Sequence, residues 1–377
     1  MRVSLLIIVI CVLYSCREKK LAFLENPNFL VLSDSIIVNL DSVTLANSTM
    51  MQLNDSDLMI YNDILTSVTI LNLKSHSQMY FDYSRYKSKN EKFIIDGAWF
   101  KSMDSIFLYS SYLKKIYLVN REHVFIDSFP TKTDSNKMQN SFLPMPFMST
   151  SQLPFMHGNS IYATGFALWE DSKYDDSKRM VVTEISKMGI NYFVNYPEDY
   201  ESRDWGGIYY RMVYNCYVND TLMYISFPAS DYIAKFNIKT KTTEYFQLFP
   251  SVNKLIRPYN GNATMSSSDN FHRAKHFYGQ YSFKGILFDS YRNIFYRFLM
   301  LPATHESIKK GKLGSQKKYL LAYDEKFNYL GFTELGESVS SLTALVTKNG
   351  LLIKDEKYYY DEDNLHFNLY TIDNRDK

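Results

Sequence analysis

One pattern recurs along this chain: a polar turn, an apolar strand, a short polar break, a second apolar strand and another polar turn. The units are "SDLMIYNDILTSVTILNLKS" (Ser56–Ser75), "DSIFLYSSYLKKIYLVNREH" (Asp104–His123), "NSIYATGFALWEDSKYDDSKRMVVTEISK" (Asn159–Lys187) and "DTLMYISFPASDYIAKFNIKTK" (Asp220–Lys241). A fifth holds "FKGILFDSYRNIFYRFLMLP" (Phe283–Pro302) and runs on through "KKYLLAYDEKFNYLGFTEL" (Lys317–Leu335). The sixth is "NGLLIKDEKYYYDEDNLHFNLYTIDN" (Asn349–Asn374). A strand-rich unit repeating at roughly 45 to 65 residues points to four-stranded propeller blades. The predicted fold is therefore all-β, a six-bladed β-propeller, with seven blades as the alternative.

Two further features agree with this reading. Several second strands end on Asn or Asp followed by charge: Asn72 before Lys74, Asn120 before Arg121, Asn237 before Lys239, Asp324 before Glu325. Such side chains close turns by bonding to nearby backbone. The chain also holds 32 Tyr and 26 Phe against only 14 Gly and 10 Pro, a balance that suits pleated, half-buried surfaces. An open ring would leave two unpaired strand edges. The early strand "SIIVNLDS" (Ser35–Ser42) is expected to remove them by pairing, over Ser35–Leu40, with Leu365–Ile372 of the last unit.

The N-terminus reads as an export signal. Arg2 precedes an apolar run from Val3 to Leu13, which is too short to span a membrane as a helix, and the very polar "REKK" follows. "LYSC", Leu13–Cys16, is similar to a bacterial lipobox, with Leu13 and Ser15 in the fitting positions and Cys16 as the lipid acceptor. Cys11 would leave with the signal, so Cys216 remains as the one thiol and no intramolecular disulfide is expected. The domain plan is residues 1–15 signal peptide, 16–30 tether and 31–377 propeller. Lipid anchorage to the outer membrane is expected, on the periplasmic side because "CREKK" lacks an acidic cluster.

The segments "SDSIIVNLDS", "DLMIYNDILTSVTILNL", "ILFDSYRNIFYRF", "YDEKFNYLGFTELG" and "NGLLI" carry a resemblance to a known family. The chain resembles exported lipoproteins of Bacteroidetes type with a six-bladed β-propeller domain of unknown function. The resemblance covers nearly all of the mature chain and implies fold and location. It brings no catalytic residues with it.

Candidate site residues are few. In "NIFYRFLML", Arg297 alternates with Phe295 and Leu299 on a strand expected to be covered on both faces. A buried guanidinium must be paired, so a tie between blades is favoured over an anion site at the channel. Arg292, in the turn "DSYRN", is expected to be solvated. The stretch "ESRDWGGIYYRMVY" gathers Arg203, Trp205, Tyr209 and Arg211, types that stack on and bond to sugars; the alternative is a loop packed on its blade through Trp205. "FHRAKHF" places His272 and His276 one turn apart if helical, but Arg273 stands where a metalloprotease needs Glu. "KKGKLGSQKK" (Lys309–Lys318) reads as a solvated loop. The acidic stretches "EDSKYDD" (Glu170–Asp176) and "DED" (Asp361–Asp363) lack the ligand spacing of a calcium loop. "DSI" at Asp34 and Asp104, "DSV" at Asp41 and "DTL" at Asp220 look like O-glycosylation acceptors or turn residues entering strands.

Lys and Arg total 42 against 40 Asp and Glu, so no global field draws nucleic acid to the protein. No metal or cofactor is expected. A non-catalytic binding or scaffold module, partnered by the membrane through its lipid and by a glycan or envelope protein, is the leading reading. A propeller-fold lyase or hydrolase acting on carbohydrate is the alternative.

Overall fold

The computed structural model describes residues 26–46, 48–84, 94–131, 145–146, 151–166, 179–201, 204–248, 256–259, 267–311 and 316–373. The strands form six sheets, five of four strands and one of five, and the first strand, β1 (Leu30–Asn39), belongs to the last of them. Blade 1 is β2 (Thr49–Gln52), β3 (Asp57–Asn62), β4 (Ser67–Asn72) and β5 (Gln78–Asp82). Blade 2 is β6 (Gly97–Ser102), β7 (Ser105–Ser110), β8 (Lys115–Val119) and β9 (Phe125–Pro130). Blade 3 has a divided inner edge, β10 (Met145–Pro146) and β11 (Phe155–His157), both on β12 (Ser160–Phe166), then β13 (Met180–Ser186) and β14 (Gly189–Asn195). Blade 4 is β15 (Tyr214–Asn219), β16 (Leu222–Ser226), β17 (Tyr232–Asn237) and β18 (Thr242–Gln247). Blade 5 is β19 (Ser282–Asp289), β20 (Ile294–Met300), β21 (Lys318–Asp324) and β22 (Tyr329–Leu335). Blade 6 is β23 (Val339–Thr347), β24 (Gly350–Asp355) and β25 (Asn364–Ile372), with β1 added outside β25. The chain is a six-bladed propeller.

Each unit recognised in the sequence begins with, or contains, the two middle strands of a blade. β3 and β4 are buried at nearly every position because neighbouring blades cover both their faces, and so they read as unbroken apolar runs. The outer strands β5 and β18 are largely exposed. The expected turn residues act as such. Asn72 Oδ1 accepts from the amides of Lys74 (3.0 Å) and Ser75 (2.9 Å), Asn237 Oδ1 from Lys239 (2.9 Å) and Thr240 (3.1 Å), and Asp324 Oδ1 from Lys326 (2.9 Å) and Asn328 (2.8 Å).

Closure takes the expected form. β1 pairs antiparallel with β25 from Leu30 opposite Ile372 to Asn39 opposite Asn364, so the first strand completes the last blade. Its lead-in, within the stretch expected to be tether, is docked on blade 5. Pro27 bridges Phe332, and the Phe29 amide donates to the Phe332 carbonyl at 3.0 Å. Inner strands of successive blades then pack around the axis, β15 on β19, β19 on β23 and β23 on β2.

Both arginines of the fifth unit are framework. Arg297 is fully buried. Its Nε donates to Ser226 Oγ (2.9 Å), and its two terminal nitrogens donate to the carbonyls of Asp231 (3.0 Å), Phe227 (3.1 Å), Ser230 (2.8 Å) and Tyr232 (3.3 Å), all in blade 4. The guanidinium also lies 3.8 Å from the Phe283 ring centroid. Arg292 departs from the expectation of a solvated side chain. It bonds Asp289 Oδ2 at 2.8 Å and reaches the carbonyls of Thr347 (3.1 Å) and Lys348 (2.6 Å), tying blade 5 to blade 6. Lys318, at the end of the expected solvated loop, is also buried, with its amine on the Glu337 carbonyl.

Candidate functional site

Because successive strands are antiparallel, the turns joining first to second and third to fourth strands of every blade lie on one face of the ring. On that face a cleft of about 690 Å³ runs from the third and outer strands of blade 1 to the inner strands of blades 2, 3 and 4 around the axis. Blade 1 contributes Met51, Gln52, Leu53 and Met79, blade 2 Trp99, Phe100, Lys101 and Met103, blade 3 Leu153 to Phe155, and blade 4 Tyr217. Its volume and its mainly apolar, aromatic lining are those of a ligand site.

The lining is held rigidly from behind. Trp99 stacks on Phe107 with centroids 4.6 Å apart and 19° between planes. Ahead of β11, Gln152 bridges Asn215 of blade 4. Gln152 Nε2 donates to the Val213 carbonyl (2.7 Å) and Asn215 Nδ2 to the Leu153 carbonyl (2.9 Å), fixing Leu153 and Pro154 in the cleft wall.

Polar groups at the rim are already engaged with one another. Asp57 accepts from Asn54 Nδ2 (2.8 Å) and Asn72 Nδ2 (2.7 Å). Gln52 exchanges two bonds with the main chain of Val346, at 2.6 and 2.9 Å, and so locks blade 1 to blade 6. What is left for a ligand is soft apolar surface, the exposed Ser77 and the exposed Lys101, whose amine lies 3.4 Å from the Met156 thioether. Tyr217, packed on Phe155 at 4.8 Å, has a buried hydroxyl with no hydrogen-bond partner among the described residues, and burial raises its pKa.

The residues singled out in the sequence lie elsewhere. Trp205, Tyr209 and Arg211 sit in the connection between blades 3 and 4, where α1 (Ile208–Arg211) packs on α2 (Ser267–Tyr278) of the next connection. Trp205 is 1% exposed and packs on Tyr200 and Tyr210, as the loop-on-blade alternative requires. Tyr209 stacks on Phe277 at 5.3 Å, and Arg211 is buried. His276 joins this group, 5.2 Å from the Tyr259 ring, with Nε2 3.0 Å from the Arg257 carbonyl; burial lowers its pKa. His272 stands exposed on the same helix. Arg297 lies inside the blade 4–5 contact. Arg203, Cys16 and the acidic stretch 170–176 fall outside the described residues. Cys216 is buried, and desolvation raises its thiol well above the ordinary value, which makes it unreactive. Among the described residues no three His, Cys, Asp or Glu side chains form a metal-binding group.

The cleft residues were not legible as a site. Met51, Trp99, Phe155 and Tyr217 come from four inner strands, each short, and only the closed ring brings them together. The one local signal is methionine placed near strand ends, at Met51, Met79 and Met103.

With the geometry in place, comparison with known proteins is informative. A family model described as a domain of unknown function, DUF4221, matches residues 27–334. The chain belongs to the DUF4221 family. A DUF4221 protein of Bacteroides vulgatus, known from a crystal structure, superposes with a TM-score of 0.71 at 16% identity, covering 92% of this chain and 98% of that one. A "Putative exported protein" of Bacteroides fragilis superposes at 0.51 with 12% identity, over 92% and 96% of the two chains. Among curated proteins none matches. At these identities the likeness to solved structures carries the fold, and DUF4221 membership agrees with the expected propeller family of unknown function. No helix among the described residues is long and apolar enough to cross a membrane.

Proposed function

We propose that this DUF4221 protein is a lipid-anchored, non-catalytic binding module of the cell envelope, and that its axial cleft receives apolar side chains of an envelope polypeptide. The observation that carries this reading is the cleft lining: Met51, Met79 and Met103 beside Trp99, Phe100 and Phe155, with the rim amides already bonded internally. Thioethers are flexible and polarisable and adapt to varied apolar partners. A sugar would need free amides and carboxylates. The lining carboxylate, Asp57, is instead held by Asn54 and Asn72, which also leaves the cleft poorly equipped for acid–base catalysis.

Export and anchorage are supported by the apolar run Val3–Leu13 and by "LYSC" at Leu13–Cys16, and one structural relative is described as exported. Outer-membrane attachment with the ring on the periplasmic side completes the reading. Labelling with a fatty-acid analogue should mark the wild type and spare Cys16→Ala; equal labelling would remove the lipid from the account.

The cleft is tested with anilinonaphthalene sulfonate as a probe. One dye per protein should bind and be displaced by a Leu- and Phe-rich peptide but not by maltoheptaose. Met79→Asp, at a partly exposed position, should weaken the peptide about tenfold, the equivalent of roughly 1.4 kcal/mol of apolar contact. Displacement by sugar and peptide alike, or indifference to Met79→Asp, would refute the assignment.

A further inference from the structure

The opposite face of the ring carries a second concavity, of about 410 Å³, lined by Asn195, Tyr196, Pro197, Glu198, Glu201, Tyr232 and Tyr245. It lies where the end of blade 3 and its following connection meet the outer strands of blade 4. Two of its tyrosines are clamped. Tyr196 donates its hydroxyl to the Arg211 carbonyl (2.5 Å), and Tyr245 donates to the Asn195 carbonyl (2.7 Å), so both rings are fixed before any ligand arrives.

Its electrostatics are one-sided. Glu198 and Glu201 line the pocket, are exposed, and make no ion pair among the described residues. Asp231, which precedes Tyr232, is fully buried; its Oδ2 accepts from Gln247 (3.2 Å), its Oδ1 makes no hydrogen bond among the described residues, and burial raises its pKa. The Tyr232 phenol is held above its ordinary pKa, first by burial and then by Asp199, Asp231 and Glu198. Among the described residues no Lys or Arg lines the pocket. Three buried arginines stand behind it: Arg211 and Arg179, whose carbonyls accept from the Tyr196 hydroxyl and amide, and Arg297, which is engaged with main-chain carbonyls of the segment leading into Tyr232; none of the three is among the described lining residues.

Fixed tyrosine faces and unpaired carboxylates in one concavity have complementary chemistry. A ring face attracts a cation through its quadrupole, and a carboxylate supplies the counter-charge. We propose that this pocket is a second binding site, selective for an organic ammonium group presented by a small molecule. It goes beyond the axial cleft reading and does not depend on it, since the two sites share no residue and lie on opposite faces.

The test uses the whole protein with its tyrosine rings ¹³C-labelled, followed by NMR during titration with tetramethylammonium chloride, with N-acetyl-lysine methylamide, and with the neutral N-acetyl-norleucine methylamide. At least one cation should shift the Tyr232 and Tyr245 ring signals saturably, and the neutral analogue should not. The preferred cation distinguishes a quaternary from a primary ammonium ligand. Glu198→Gln with Glu201→Gln, both exposed positions, should weaken binding at least about tenfold without changing the melting temperature. Absence of saturable shifts with both cations, equal binding of the norleucine analogue, or unchanged affinity in the double variant would each overturn the proposal.

Discussion

Arg297 shows how a single residue can look like a site and act as a frame. Its charge is fully desolvated, and that desolvation lowers its pKa to about 10, which still leaves it cationic at neutral pH. Among the described residues no carboxylate bonds it directly. Four carbonyls and the Ser226 hydroxyl of blade 4 take its donors, so the arginine organises the turn that leads into β17. Replacing it with Ala would strand those acceptors and open a cavity between blades, costing about 3 to 5 kcal/mol. Chemical denaturation of Arg297→Ala against wild type measures this. A loss under about 1 kcal/mol would mean that the bonds are dispensable. That burial was legible in the sequence, because Arg297 stands between Phe295 and Leu299. Arg292 was not, because its partners, the carbonyls of Thr347 and Lys348, lie in another blade.

At the scale of elements, middle strands were readable in every blade, whereas an inner and an outer strand were readable only in blade 5 and, as β1, at the edge of blade 6. Two-sided burial writes apolar runs such as "DLMIYN" and "SVTILN" into the chain. Inner strands such as "TMMQ" are only four residues long, and outer strands such as "TTEYFQ" are largely exposed, so neither leaves a strong pattern. Helix α2 was readable only as the spacing of His272 and His276, because its neighbours in the sequence lack a long amphipathic stripe. Turns impose their own demands. Gly350 joins β23 to β24 with φ of 149°, and a Cβ there would stand 2.2 Å from the Tyr370 carbonyl oxygen. Gly350→Ala should therefore destabilise blade 6 by about 1 to 3 kcal/mol through backbone strain, with the clash adding to it. Thermal melting that matched wild type would show that the turn can relax.

For the whole molecule, closure decides whether the axial cleft exists. β1 covers the outer edge of β25, and Gln52 of blade 1 holds Val346 of blade 6, so the ring is joined both at its rim and near its axis. A version lacking residues 1–41, exported by a substituted signal, should be insoluble or low-melting, whereas one beginning at Asn26 should melt like the parent. Normal melting of the shorter form would make β1 an accessory strand. The central claim, that the closed ring presents a methionine-lined cleft for apolar side chains of a partner, is tested most directly by methionine-methyl NMR. With methyl-¹³C methionine and a Leu- and Phe-rich peptide, the signals of Met51, Met79 and Met103 should shift together and saturate, while Met188, 99% exposed and outside the cleft, stays in place. Shifts spread over all methionines, or none at the cleft three while the peptide binds elsewhere, would contradict it.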